Sequence, residues 1–126
     1  MNVPANLLYT KDHEWIKVDG GNATVGVTDF AQSQLGDIVF VEIETVGETL
    51  QKEEVFGTIE AVKTVSDMFM PVTGEVLEVN PKISDTPDVV NKDPYGEGWM
   101  IKIKISDPAQ LNELLTPEKY KEAINA

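Results

Sequence analysis

The sequence predicts an all-β fold with short helices, on three observations. Apolar and polar residues alternate with period two along several runs, most plainly over residues 99–105. A glycine pair at Asp19-Gly20-Gly21 separates two such runs. The helix signals are confined to brief, capped segments. Alternation sends successive side chains to opposite faces of a pleated strand, whereas a helix needs apolar positions three and four apart.

In chain order, residues 14–18 and 22–27 make a hairpin, because the glycines supply the positive φ of its turn. Thr28 caps a helix over 29–35, and Gly36 stops it. Residues 37–44 form a strand with Val39, Val41 and Ile43 on one side. Its other side starts apolar with Ile38 and Phe40 and ends in Glu42 and Glu44. Further strands cover 54–62 and 74–79, with strand-like stretches at 67–72 and 89–91 and a turn-rich stretch at 80–88. The pattern on either side of Lys63 hints at two similar halves meeting at an exposed turn. Residues 99–105 place Trp99, Ile101, Ile103 and Ile105 on one face, and Lys102 and Lys104 on the other. Asp107 caps a helix that Pro108 begins and that Leu111, Leu114 and Leu115 stripe. Thr116-Pro117 repeats the device for a last helix, where Tyr120 and Ile124 share a face. One domain over 1–126 is expected, with its core at about 9–106 and a helical segment at about 107–126.

Composition narrows the function. The 126 residues include no cysteine, which excludes thiol catalysis, thiolate zinc sites and iron–sulfur clusters. All 10 basic residues are lysine, against 22 acidic residues, for a net charge of −12. Arginine is the usual bidentate reader of phosphates and guanine edges, and a field this negative repels a polyanion. Nucleic acid is therefore not an expected partner; the charge serves either steering toward basic protein surfaces or plain solubility, and the sequence favours neither. No apolar run reaches the roughly 18 residues of a membrane span, and no basic stretch followed by an apolar one opens the chain. A cytoplasmic monomer without membrane contact is expected, ahead of a mature mitochondrial matrix form. His13 is the only histidine, too few for a metal site and without the partners of a hydrolytic triad. It is expected to be structural or to serve docking, and Trp15 and Trp99 to be core or cleft-wall aromatics. No catalytic constellation is present, so a carrier or an interaction domain is favoured over an enzyme.

The informative stretch runs over residues 57–76, with Glu60-Ala61-Val62-Lys63-Thr64 at its centre. It sets a lysine between two β-rich runs, eleven residues before Gly74 opens another strand. A swinging-arm carrier needs its acyl acceptor on a tight turn projecting from a rigid scaffold. There a modifying enzyme can grip the turn and the arm can sweep several active sites. A solvent-facing lysine has a pKa near 10.4, so a dedicated ligase must supply an activated acid, and the amide that forms removes the charge.

That stretch and most of the rest of the chain resemble the glycine cleavage system H proteins. Tyr9-Thr10-Lys11-Asp12-His13-Glu14-Trp15-Ile16 is similar to the family's opening motif. The block Gly26-Val27-Thr28-Asp29-Phe30-Ala31-Gln32 with Leu35-Gly36-Asp37-Ile38-Val39 follows. Glu60-Ala61-Val62-Lys63 stands where the family carries its lipoylated lysine. Ser66-Asp67, Pro71-Val72, Gly74-Glu75-Val76, Val90-Asn91, Asp93-Pro94-Tyr95-Gly96 and Gly98-Trp99 keep the family's spacing. Thr64 and Met70 depart from the family's common residues, without removing the acceptor or its turn.

The resemblance implies a lipoyl/biotinyl-type hammerhead (a barrel-sandwich hybrid) of two antiparallel sheets, with the lysine at a hairpin tip and a C-terminal helix. It implies lipoic acid held covalently on Lys63, and no metal. The arm would take the aminomethyl group of glycine from glycine decarboxylase (the P protein) to aminomethyltransferase (the T protein). Dihydrolipoyl dehydrogenase (the L protein) would reoxidise it, and a lipoylating enzyme would install it. The protein itself would be a non-catalytic carrier. An H-like protein donating lipoyl groups in lipoate relay would need the same motif and is the alternative. A biotin carrier would set its lysine between two methionines, where this chain has Val62 and Thr64. The aminomethyl nitrogen needs protection from water, so Glu14 of the His-Glu-Trp segment and the Ser66-Asp67 turn are assigned, as a hypothesis, to a shelter for the arm or to docking.

Overall fold

The computed structural model describes residues 1–125. Its strands are β1 (Leu8–Tyr9), β2 (Glu14–Asp19), β3 (Asn22–Val27), β4 (Ile38–Glu42), β5 (Thr49–Leu50), β6 (Val55–Ala61), β7 (Val65–Phe69), β8 (Gly74–Val79) and β9 (Ile101–Ile105). The helices are α1 (Asp29–Leu35), α2 (Lys82–Asp85), α3 (Val89–Lys92) and α4 (Pro117–Ala123), with a 3₁₀ segment over Pro108–Glu113. Two antiparallel sheets result, one ordered β1-β2-β3-β9-β8-β5 and one ordered β4-β6-β7.

The expected all-β class with short helices is what the chain adopts. The β2–β3 hairpin closes at the Asp19↔Asn22 pair, and Gly20 turns it at φ 63°. Thr28 Oγ1 accepts the Ala31 N–H at 3.1 Å to start α1, and Gly36, at φ 82°, ends it. Between the sheets lies a core that includes Val25, Ile59, Met68, Val76, Ile101 and Ile103. A second cluster, Val3, Leu7, Tyr9, Trp15 and Tyr120, fills the space under α4 and the N-terminal segment. Gly26 makes that cluster possible, since a Cβ there would come within 2.7 Å of the Trp15 indole.

Four expectations fail locally. Val39 does not share an inner face with Val41, because a register shift between Ile38 and Phe40 turns Val39 and Phe40 outward, 48% and 49% exposed. A bulge inserts one residue and so reverses the alternation that the sequence pattern assumes. Residues 89–91 are not strand but part of α3, and α2 interrupts the turn-rich 80–88, so the halves around Lys63 are not matched here. Strand β9 begins at Ile101 rather than Trp99. Met100 is fully buried despite falling on the lysine side of the alternation, and its N–H donates to Val25 O at 2.8 Å. The segment after Asp107 is 3₁₀ rather than α, and the Asp107 carboxylate accepts the Ala109 N–H as its cap.

Candidate functional site

Lys63 sits in the three-residue connection between β6 and β7. Two main-chain hydrogen bonds fix that tip: Ala61 N–H to Thr64 O at 2.8 Å, and Val62 N–H to Asp37 O at 3.0 Å. The second ties the tip to the start of β4. Lys63 is exposed, and no carboxylate among the described residues pairs with its ammonium. Its side chain lies back along the end of α1, where a methyl on Gly36 would stand 3.4 Å from Cε. Val62 and Val65 flank it at 74% and 63% exposure, with Val39 and Phe40 nearby on β4.

Beside α1 is a cavity of about 180 Å³ whose walls include His13, Glu14, Leu35, Ile59, Ser66 and Asp67. Glu14, Ser66 and Asp67 are thus brought together, although Ser66 and Asp67 lie on β7 and not in a turn. Leu35 belongs to the wall, and its chain neighbour Gly36 is the residue against which Lys63 rests. Lys63 and the cavity therefore adjoin at the C-terminus of α1. A larger cavity, about 220 Å³, lies on the other side of Glu14, among Tyr9, Lys52, Met70 and Pro71.

Glu14 is only 2% exposed. Its Oε1 accepts the Thr10 hydroxyl at 2.7 Å, and its Oε2 accepts the Phe69 N–H at 3.0 Å. The second bond caps an outward N–H of β7, an edge strand of the three-stranded sheet. Burial pushes the carboxyl pKa up to about 8, against the two hydrogen bonds that lower it. Glu14 is therefore a neutral acid at neutral pH. Burial also holds His13 below the usual imidazole value, so its ring is neutral too. His13 is both structural, through a 3.0 Å contact of Nδ1 with the Tyr120 hydroxyl, and part of the cavity wall. Trp15 is a core aromatic, whose Nε1–H donates to Pro94 O at 3.0 Å and so ties it to the Asp93-Pro94-Tyr95-Gly96 block. Trp99 is half-buried, with Lys102 Nζ 5.0 Å above its ring.

The sequence reading missed two contributors. Leu35 is one inner edge of the helix that closes the cavity, and the cap and stop that delimit α1 were its only signal. Tyr120 was assigned only an apolar helix face, yet its hydroxyl reaches residues more than ninety positions away.

Two facing antiparallel sheets, with a lysine on the turn between paired strands, define a carrier fold of the lipoyl- and biotinyl-type class. The glycine cleavage H-protein family model matches residues 7–126, and the chain belongs to that family, the lipoyl carriers of the glycine cleavage system. The glycine cleavage system H protein of Bacteroides fragilis is 60% identical over 126 residues, covering 100% of both chains. That of Chlorobium limicola is 61% identical over 126 residues, covering 98% of each. The crystal structure of a glycine cleavage system H protein from Mycobacterium marinum superposes with a TM-score of 0.89 at 39% identity, covering 98% of this chain and 99% of that one. No described helix is long and apolar enough to cross a membrane.

Proposed function

We propose that Lys63 carries a lipoyl group in amide linkage and that the protein is the non-catalytic carrier of a glycine cleavage system. The observation that carries this reading is the placement of Lys63, exposed, and without an ion-pair partner among the described residues, at a tip fixed by two main-chain hydrogen bonds, beside a walled cavity. These residues fit the group: the ammonium is open to a modifying enzyme, and acylation breaks no ion pair among the described residues. When bound, the lipoyl group supplies the disulfide–dithiol chemistry by which the aminomethyl group of glycine passes from glycine decarboxylase to aminomethyltransferase, before dihydrolipoyl dehydrogenase restores the disulfide.

The chain's own residues position and protect. The tip holds Cα of Lys63 still, so that motion is confined to the side chain and its extension, and tethering gives the arm a high effective concentration at a docked partner. The cavity by α1 would hold the arm's end. Apolar Leu35 and Ile59 exclude water there, while Glu14, Ser66 and Asp67 offer polar groups. Burial lets Glu14 keep its proton at neutral pH. A cationic amine brought against Oε1 or Oε2 would lower its pKa and leave a carboxylate to accept from the amine. Docking is supported by the acidic surface and by the apolar patch of Val39, Phe40, Val62 and Val65 around the tip.

Intact mass spectrometry of protein co-expressed with a lipoylating enzyme and supplied with lipoic acid tests the attachment. A lipoyl increment that disappears in Lys63→Ala supports the proposal. A biotin increment, or none, overturns it. Reconstitution with glycine decarboxylase then tests the carrier role against lipoate relay.

A further inference from the structure

Three residues from distant parts of the chain form a closed loop of hydrogen bonds behind the cavity. The Thr28 N–H donates to the His13 carbonyl at 3.0 Å. The Thr28 hydroxyl lies 2.7 Å from the Tyr120 hydroxyl, and that hydroxyl lies 3.0 Å from His13 Nδ1. Thr28 also caps α1 through the Ala31 N–H. The two groups joined by this loop, His13 and α1 with its Leu35, are both parts of the cavity wall. His13 is held at φ 67°, a left-handed conformation uncommon for a residue with a Cβ.

Tyr120 is well placed to impose it. The residue is 1% exposed, and its ring stacks on Tyr9 with centroids 4.6 Å apart and planes at 7°. Tyr9 in turn exchanges two main-chain hydrogen bonds with Leu115, at 3.0 and 2.8 Å, which anchors the approach to α4. Burial pushes the Tyr120 phenol up to about 12, so it remains a neutral hydroxyl throughout the physiological range. With a single proton, that hydroxyl couples its two contacts: where it donates to His13 Nδ1 the Thr28 hydroxyl donates to it, and where it donates to Thr28 it accepts from His13 Nδ1–H.

We propose that Tyr120 is a positioning residue of the carrier site, its hydroxyl locking His13 and the start of α1 together as walls of the arm cavity. The terminal helix is thereby part of the cargo-holding machinery rather than an external brace. This rests on the reading that the cavity shelters the arm's cargo. Unsheltered, that cargo is lost by hydrolysis: water adds, the carbon–sulfur bond breaks, and the thiol, formaldehyde and ammonia are released.

The test compares lipoylated wild type, Tyr120→Phe, Tyr9→Phe and Glu14→Ala. Each is loaded by glycine decarboxylase with glycine, separated from it, and followed by intact mass for retained cargo. In parallel, ¹⁵N shifts of the His13 ring are recorded on unlipoylated protein. Tyr9→Phe removes an equally buried hydroxyl, bonded to Pro4 O outside the loop, and so reports a merely structural loss. Expected is a cargo half-life about fivefold shorter in Tyr120→Phe, the equivalent of one lost neutral hydrogen bond. Displaced His13 nitrogen shifts should accompany it, with neither change in Tyr9→Phe. Equal behaviour of the two tyrosine variants overturns the proposal. If Glu14→Ala also retains cargo as wild type does, the sheltering reading itself has failed. Should Tyr120→Phe not fold, Thr28→Val breaks the loop from its other side with the same expected fivefold loss, and Thr28→Ser should keep the wild-type half-life.

Discussion

The tip that holds Lys63 and the segment that holds Glu14 are neighbours across one helix end, and they are built in opposite ways. At the tip, three consecutive residues, Val62, Lys63 and Thr64, are exposed, and only main-chain hydrogen bonds give the turn its shape. At Glu14 the side chain is buried, both carboxyl oxygens are occupied, and the adjacent residues, His13 and Trp15, each reach a partner from a distant part of the chain. An attachment point must be reachable by several enzymes, so its side chains contribute little to the fold. A cavity wall must exclude water at fixed spacing, so its side chains do contribute. Substitutions at the tip should therefore alter function without altering stability, and substitutions around Glu14 should alter both.

The largest expected effect is at the tip. Lys63→Ala should abolish lipoyl incorporation completely, read by intact mass, while changing stability by no more than about 0.5 kcal/mol in urea unfolding, as for other exposed sites. A marked loss of stability would erase the contrast between the two regions.

Next is the pH dependence that Glu14 gives the fold. From its ordinary value of 4.5 up to about 8, the folded chain holds a proton at Glu14 that the unfolded chain has lost. Folding therefore takes up a proton in that window, and stability falls as pH rises through it, levelling off above the folded pKa. The decline should be on the order of a few kcal/mol. Glu14→Gln, which cannot ionise, should flatten this part of the profile in a series of urea titrations. An unchanged profile would show that Glu14 is charged at neutral pH.

Gly26→Ala should cost about 1–3 kcal/mol, the usual range for overpacking, because the Trp15 indole occupies the space its methyl needs. Lys63 in the folded fraction should still be modified at the wild-type rate, since Trp15 packs in the cluster under α4 and not at the tip.

The same contrast explains what the sequence made legible. Lys63, the Thr28 cap and the Gly36 stop are local features, each readable from a few neighbouring residues, and all stand where the pattern put them. The outward turn of Val39 depends on a pairing irregularity with β6, which alternation within one strand does not encode. The cavity was legible only as a guess about Glu14, Ser66 and Asp67. Its walls come from five separate segments, and the neutrality of Glu14 arises chiefly from their joint burial, with the Asp12 charge adding to it. Tyr120 was the hardest to see: in sequence it is an apolar position on a short helix, and its hydroxyl acquires partners only in the assembled fold.

The smallest effect tests whether the exposed apolar residues of the tip act at all. Val62 and Val65 bracket Lys63, and no core contact accounts for their type. Exposed valines are ordinary when scattered, but two of them, with Val39 and Phe40 nearby, make a contact patch around the acceptor. A partner that covers the patch gains the transfer energy of the apolar surface it removes from water. Replacing both residues, Val62→Ser with Val65→Ser, should leave urea stability within about 0.5 kcal/mol of wild type. The rate constant for lipoylation at limiting enzyme should fall by about tenfold, equivalent to roughly 1.4 kcal/mol of lost contact. If the rate is unchanged, the lipoylating enzyme grips the turn by its main chain alone. If stability falls instead, the valines belong to the fold, and the tip is not the structurally independent region that its exposure suggests.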